Sequence, residues 1–375
     1  MAVDSSLPVA LHCVPVPEFG GVARHISDLT EAGLPGYHLV ILCPAGALSA
    51  RLKELGADVR EADFGTGAGF AASLRTLDTL IDDHKPAIVH SHLAYADVVA
   101  AAAVNLRKAR KLVRRGTYVP TLFTTEHGIA GDDAVYHGAS WRSHLMETVH
   151  RVRLWGTDGK IAVSQSTADQ MKRKWDARGV KVVYNGINAA ETQQAVAGHR
   201  IKAEEGALRV LSLARLAPEK GLDILVEAFA QVREQVPGAH LEVAGAGELK
   251  GTLAQQVADL GLEDSVSFPG FVNPVEAMGR ADVLVQLSVW ENCSYTLLDA
   301  KAAGLAVVAT AVGGNPEILD GSELVPSLNQ MNRGAAVAAV AQKILEVKES
   351  SNKPLNWVSI DEMGRQTVGL YREVS

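Results

Sequence analysis

Two stretches of this sequence combine charge with a position just after an apolar run. In Leu213-Ala214-Arg215-Leu216-Ala217-Pro218-Glu219-Lys220-Gly221, Arg215 and Lys220 follow an apolar segment and precede an amphipathic one. Two cations beside a helix N-terminus suit a diphosphate, because they add charge-assisted hydrogen bonds to the free N–H groups of the first turn. The second stretch runs from Ser288 through Glu291, Asn292, Cys293 and Ser294 into a helix starting near Tyr295, with Asp299 on its second turn. Ser294 suits an N-cap. Glu291 can then face a bound sugar and Asp299 ribose hydroxyls, while the N–H groups of residues 292–296 are left for phosphate oxygens. An acid near a helix start also complements the helix dipole, which by itself accounts for Asp299 better than for Glu291.

Glycines and histidines add weaker signals. Gly20-Gly21 lies between an apolar run and a helix, where bare backbone can approach an anion or make a plain tight turn. Gly245-Ala246-Gly247 has the start of a dinucleotide fingerprint, but Lys250 stands where its third glycine belongs. A nicotinamide or flavin enzyme is therefore disfavoured. His127, in Thr125-Glu126-His127-Gly128, ends an apolar run and is balanced between a structural and a chemical role. His90 and His92 alternate at another run's end; no third ligand at useful spacing accompanies them, so they read as positioning or core-edge residues.

The elements that must hold these residues are legible from apolar periodicity. Strands are expected at Val9–Val14, Tyr37–Cys43, Ala87–His90, Thr121–Thr124, Gly159–Val163 and Val180–Val183. After a polar stretch, Ala189–Gly206, that reads as a linker, the rhythm restarts with strands at Leu208–Leu213, His240–Ala244, Ser265–Phe268, Asp282–Leu287 and Ala306–Thr310. Amphipathic segments separate them, including Val22–Thr30, Ala50–Leu55, Tyr95–Val113, Gly221–Val232, Leu249–Leu260 and Tyr295–Ala303. Strands alternating with helices mean parallel sheets, so the fold class is α/β with two domains. Ligands of such sheets bind beyond the carboxyl ends of strands, which is where the residues above fall.

Bulk properties narrow the function. The 375 residues suit two to three domains and a large core. A formal charge of −7 argues against a general nucleic-acid binder. No apolar run approaches the roughly 18–20 residues of a membrane span, and the N-terminus has no early Lys or Arg of a secretion signal. Cys13, Cys43 and Cys293 form no disulfide or zinc pattern, which suits a reducing cytoplasm. The basic run from Arg107 to Arg115 could dock on anionic lipid at the inner membrane face, or could simply complement a helix C-terminus.

Ten pieces occur in an order that resembles the retaining GT-B glycosyltransferases of family 4. They are Phe19-Gly20-Gly21-Val22-Ala23-Arg24, Val89-His90-Ser91-His92, Thr125-Glu126-His127-Gly128, Ala162-Val163-Ser164, Tyr184-Asn185-Gly186-Ile187-Asn188, Ala214-Arg215-Leu216 through Lys220-Gly221, Gly245-Ala246-Gly247, Phe268-Pro269-Gly270-Phe271-Val272, Glu291 to Asp299, and Val312-Gly313-Gly314-Asn315-Pro316-Glu317. The resemblance implies two Rossmann-like domains with an interdomain cleft. Residues 1–190 would bind the acceptor, 207–354 the donor, and a helix within 355–375 would cross back to the first domain. It implies transfer of a hexose-type sugar from a UDP- or GDP-linked donor to an acceptor hydroxyl, with no cofactor and no metal. The leaving diphosphate would take the acceptor's proton on the same face. His127, Arg215, Lys220 and Glu291 would be catalytic. Gly20, Gly21, Asn185, Gly245, Gly247, Phe271, Val272, Asn292, Cys293, Ser294, Tyr295 and Asp299 would bind the donor, and His90 and His92 are acceptor-side candidates. The acceptor is open among lipid-linked glycan, polysaccharide and small molecule. Two departures stand out: Asp299 replaces the family's usual Glu, and Asn292-Cys293-Ser294 replaces its usual Gly, Phe or Pro. The alternatives are a nucleotide-sugar epimerase on the same fold, or a non-catalytic sugar-nucleotide-binding protein.

Overall fold

The computed structural model describes residues 7–129, 141–201, 206–347 and 355–374, with side chains described outside 141–146. The chain divides into two compact units, one formed by Met1–Gly186 with Val358–Ser375 and the other by Ile187–Trp357.

Unit one is built on seven parallel strands: β1 (Val9–Cys13), β2 (His38–Cys43), β3 (Asp58–Glu61), β4 (Ile88–His92), β5 (Thr121–Glu126), β6 (Gly159–Ala162) and β7 (Val180–Val182). Their order is β3-β2-β1-β4-β5-β6-β7. The central strands β1, β4 and β5 are buried almost throughout, because helices cover both faces of a parallel sheet. On one face Val99, Ala100 and Val104 of helix Ala94–Val113 pack with Leu77 and Ile81 of helix Phe70–His84. On the other, Leu29 of helix Gly21–Ala32 meets Met363, Val368 and Tyr371 of helix Ile360–Val374. The sheet reverses its order of addition between β1 and β4. Register there sets His12 opposite His90, and His92 opposite Thr125 of β5.

Unit two has six parallel strands: β8 (Ala207–Leu213), β9 (Gly238–Ala244), β10 (Val266–Gly270), β11 (Val283–Gln286), β12 (Ala306–Thr310) and β13 (Leu324–Val325), in the order β10-β9-β8-β11-β12-β13. Its core is built from Val210, Leu241, Val243, Val283 and Val285 against Leu225, Phe229 and Val232 of helix Leu222–Gln235, and Val340 and Ile344 of helix Arg333–Val347. Here the order of addition reverses between β8 and β11.

The parallel α/β architecture follows the sequence reading, with several added elements, among them the short edge strand β13 and helix Arg333–Val347. The edge strand β3 and helix Phe70–His84 are additions. Asp58-Val59-Arg60-Glu61 carries little apolar signal because an edge strand is buried only in part, and all four residues retain exposure. The segment Ala189–Gly206 is not a plain linker. It carries a helix, Ala189–Ala197, whose cap Asn188 accepts from the Glu191 N–H and whose single buried anchor is Val196. One apolar anchor leaves no helical stripe to read. Arg200 then donates to the carbonyls of Ala281 and Ala303, tying the segment to unit two; residues 202–205 lie outside the described residues.

Candidate active site

The reversal between β8 and β11 brings the two charged stretches together. Beyond β8 the chain makes a 3₁₀ turn, Pro218–Lys220, ended by Gly221 at φ +59°. A Cβ on Gly221 would sit 2.6 Å from the Leu287 carbonyl oxygen, so only glycine allows this approach. The Val289 N–H donates to the Glu219 carbonyl at 2.8 Å, locking the two strand-end loops to each other. Lys220 Nζ consequently lies 3.2 Å from Ser288 Oγ and 3.2 Å from Glu291 Oε2. Glu291 Oε2 also accepts from Gln286 Nε2 at 2.9 Å and Ser288 Oγ at 3.2 Å. Both members of the Lys220–Glu291 pair are about one-fifth exposed, 22% and 18%, so solvent and a ligand can still reach them.

The surrounding residues fix this pair. Ser294 is the N-cap of helix Tyr295–Ala302, accepting from the Leu297 N–H, and its hydroxyl donates to Gln286 Oε1 at 2.8 Å. Gln286 thus bridges the cap to Glu291. Sequence reasoning does not single out Gln286 or Ser288; a polar residue closing the apolar run Val283–Val285 is the signal that could have found Gln286. Thr310 Oγ1 donates to the Ser288 carbonyl at 2.6 Å, and Asn315 Nδ2 to the Thr310 carbonyl at 3.0 Å. Gly313, at φ +54°, faces the Glu291 carbonyl oxygen so closely that a Cβ would lie 1.7 Å from it. Asn292, Cys293, Ser294 and Tyr295 are buried, and Asp299 keeps partial exposure on the helix.

Three details bear on the residues expected at this site. Arg215 does not share a partner with Lys220: its guanidinium contacts the buried Glu219 carboxylate and is 69% exposed. The Asn292 N–H is engaged by Glu291 Oε1 at 3.4 Å rather than left for phosphate. Gly245 and Gly247 have a backbone reason to be glycine, since added Cβ atoms would lie 1.9 Å from the Ala214 oxygen and 2.3 Å from the Leu216 oxygen. Phe271, by contrast, projects 88% exposed beyond β10, next to the partly exposed Val272.

In unit one the reversal between β1 and β4 gathers histidines. His12, His90 and His92 are buried on these strands, His127 follows β5, and His25 comes from helix Gly21–Ala32. His12, absent from the sequence reading because it sits far along the chain, is the neighbour that His90 and His92 were expected to lack. Ligand nitrogens of His12, His90 and His92 all lie within 4.8 Å, as do those of His25, His92 and His127. Burial pushes all five imidazoles down, His12 to about 3 and His25 to about 4, with the neighbouring rings lowering His12, His90, His92 and His127 further. Neutral imidazoles result. His90 and His92 are corrected as acceptor-side candidates: they are 1% and 0% exposed and their ring nitrogens bond within the unit. Asn185 is buried and bonds His25 Nδ1 at 3.0 Å, while Gly20 and Gly21 have open space beside them at the helix start.

Behind His127 is a buried ionic group. Arg153 bridges Asp97 and Glu126 (2.8 Å to Glu126 Oε2), and Thr124 Oγ1 donates to Asp97 at 2.6 Å. Burial outweighs Arg153 and holds the Glu126 carboxyl up near 7. Removing one partner from such a group leaves an uncompensated buried charge, which costs about 3–5 kcal/mol.

Residues 19–191 match the family described as Glycosyltransferase Family 4, and residues 199–359 match Glycosyl transferases group 1. A glycosyltransferase of Methanocaldococcus jannaschii is 31% identical over 221 residues, 56% of this chain and 55% of that protein. That match therefore spans about half the length of the relative. The glycogen synthase of Mycobacterium tuberculosis is 27% identical over 330 residues, 79% of this chain and 75% of its own. In fold, Anabaena HepE, solved with UDP-glucose, superposes with a TM-score of 0.70 at 19% identity, over 97% of this chain and 99% of that one. One match falls on the N-terminal sheet and the other on the C-terminal sheet, in the order of a two-domain GT-B enzyme, and the chain belongs to the family 4, group 1 glycosyltransferases.

Proposed function

We propose that this glycosyltransferase moves a hexose-type sugar from a UDP- or GDP-linked donor to an acceptor hydroxyl, with retention and without a metal ion. The observation that carries the reading is the Lys220–Glu291 pair at the β8/β11 reversal, held by Gln286 and Ser288. The solution of HepE with UDP-glucose supports a nucleotide-sugar donor. In this reading Lys220 and the exposed Arg215 meet the departing diphosphate, Glu291 and His127 accept from donor-sugar hydroxyls, and Asp299 accepts from the ribose. The C1–phosphate bond breaks, the acceptor oxygen bonds C1 on the same face, and its proton passes to the departing phosphate oxygen. Positioning and charge stabilisation are then the protein's contribution.

The test is release of nucleoside diphosphate from a panel of UDP- and GDP-sugars, with and without acceptor hydroxyls. Acceptor-dependent release, an unchanged anomeric configuration in the product and insensitivity to a chelator are expected. A changed nucleotide sugar without acceptor would make the chain an epimerase instead.

Peripheral contact with an anionic membrane belongs to the same proposal. Arg107 is not part of that surface: it is buried and paired with Asp78 and Asp82. Lys108 is drawn to Asp158. The rest of the run is exposed, and Leu112 and Val113, 89% and 88% exposed, lie among Arg110, Lys111, Arg114 and Arg115. Trp155 is also 90% exposed, beside Gly156, whose carbonyl accepts from Lys108. Cations around exposed apolar side chains suit an anionic lipid surface. No helix among the described residues is long and apolar enough to cross a membrane. Replacing Arg110, Lys111, Arg114 and Arg115 by Ser should abolish sedimentation with anionic vesicles at low salt; a parent chain that never sediments removes the idea.

A further inference from the structure

Both nitrogens of His12, His90 and His92 belong to one continuous chain of hydrogen bonds. His127 Nε2 lies 2.8 Å from His92 Nδ1, and His92 Nε2 lies 3.0 Å from His12 Nδ1. His12 Nε2 is 2.9 Å from the Tyr371 hydroxyl, which is 2.5 Å from His90 Nδ1. His90 Nε2 ends the chain 2.8 Å from Thr125 Oγ1. These are hydrogen-bond separations. A tetrahedral ion holding nitrogens at its bonding distance would spread them to about 3.3 Å, so the His92–His12 and His92–His127 contacts fit direct bonding better than a shared metal.

A neutral imidazole carries one N–H and one lone pair. In a chain where each ring bonds at both nitrogens, all rings must point the same way. A single reversed ring would set two N–H groups, or two lone pairs, against each other in the core. Tyr371 selects the direction. Its contact with His90, 2.5 Å, is shorter than that with His12, 2.9 Å, which favours a hydroxyl that donates to His90. The phenol therefore donates to His90 and accepts from His12. Following the bonds outward, His12, His92 and His127 each carry their proton on Nε2, and so does His90, donating to Thr125. His25, whose Nδ1 bonds Asn185 Oδ1, is the exception with Nδ1–H.

We propose that His12, His90, His92, Tyr371 and Thr125 act as positioning residues that lock His127 in its Nε2–H tautomer, so that its Nδ1 presents a lone pair to a sugar hydroxyl. The last clause rests on the reading of His127 as a donor-sugar contact. The lock also makes the C-terminal helix Ile360–Val374 part of the site's chemistry, because Tyr371 joins the β1 and β4 halves of the chain.

The test is long-range ¹H–¹⁵N correlation of histidine-labelled full-length protein, with Tyr371→Phe, Thr125→Val and Thr125→Ser beside the parent. The parent should show His12, His90, His92 and His127 as single Nε2–H tautomers and His25 as Nδ1–H. Tyr371→Phe keeps the ring and should turn His127 into a tautomer mixture, although it touches neither His127 nor His92. Thr125→Val should loosen His90 first, and Thr125→Ser should restore the parent pattern. Donor KM should rise about tenfold in Tyr371→Phe, with nucleoside diphosphate affinity unchanged. Melting curves identify any variant that fails to fold, and the parent's tautomers test the proposal even then. An Nδ1–H or mixed His127 in the parent, or an unaltered His127 in folded Tyr371→Phe and Thr125→Val, overturns the lock. Saturable binding of one Zn²⁺ that moves His12, His90 and His92 together overturns it too. If the spectra behave as stated but neither Tyr371→Phe nor His127→Gln alters donor kinetics, the lock stands and the sugar-contact reading of His127 falls.

Discussion

At the residue scale the proposed division of labour around helix Tyr295–Ala302 is the sharpest point to test. Glu291 precedes the helix in contact with Lys220, Gln286 and Ser288, whereas Asp299 lies on the second turn, partly exposed. Glu291→Gln should depress turnover far more than it weakens the free nucleoside diphosphate. Asp299→Asn should weaken that diphosphate by roughly 1.5–3 kcal/mol, as for a lost charged hydrogen bond. Titration calorimetry with the nucleoside diphosphate alone decides, and equal losses in both variants would refute the division. Lys220→Ala should cost about 2–4 kcal/mol in the barrier, by analogy with oxyanion-hole donors. It also removes the cation beside Glu291, so the melting temperature must be checked before turnover is read. Near-normal turnover in the folded variant would sink the diphosphate assignment.

At the scale of elements, glycines separate packing from ligand access. Gly313 turns at φ +54° with its Cβ position 1.7 Å from the Glu291 carbonyl oxygen, so Gly313→Ala strains the backbone and pushes on the Glu291 loop. A loss of about 1–3 kcal/mol in stability, read by denaturant titration, is expected, along with reduced turnover. A Cβ added at Gly20 would meet nothing within 4 Å, and this residue caps helix Gly21–Ala32 with extended backbone. Gly20→Ala should therefore change stability by at most about 1 kcal/mol. A donor-KM increase in that stable variant would support anion binding at the helix start; an unchanged KM would leave Gly20 a simple turn.

For the molecule as a whole, acid should act on unit one first. The histidines held down by burial, His12, His25, His90, His92, His127 and His150, all lie there. The folded chain keeps them neutral while the unfolded chain protonates them below about 6.5, so stability falls as pH drops from there toward 4. Glu126, raised to about 7, acts in the opposite sense: it holds a proton in the folded state and favours folding as pH falls from about 7 to 4.5. Asp97, also raised by burial, acts in the same sense as Glu126, so two carboxyls oppose six imidazoles, each worth about 1.4 kcal/mol per pH unit below its unfolded value, and acid destabilisation wins. Limited proteolysis between pH 7 and 4.5 should release unit-one fragments before unit-two fragments. Cleavage of unit two first, or no pH dependence, would contradict this balance.

The sequence by itself determined the alternation of strand and helix, the parallel sheets and the helix cap at Ser294, because apolar periodicity and capping are local properties of the chain. It also marked Lys220 and Glu291 as candidates for chemistry, since charge beyond an apolar run is legible without knowledge of neighbours. What it hid were weakly apolar elements such as β3 and helix Ala189–Ala197, whose few buried side chains make no stripe. The tertiary structure alone decided which separated residues meet. Strand order and register set His12 beside His90 and His92, helix Ile360–Val374 brings Tyr371 between them, and the β8/β11 reversal joins Lys220 to Glu291 and Gln286. Such pairings depend on strand crossovers between distant segments, and spacing along a chain carries no record of them.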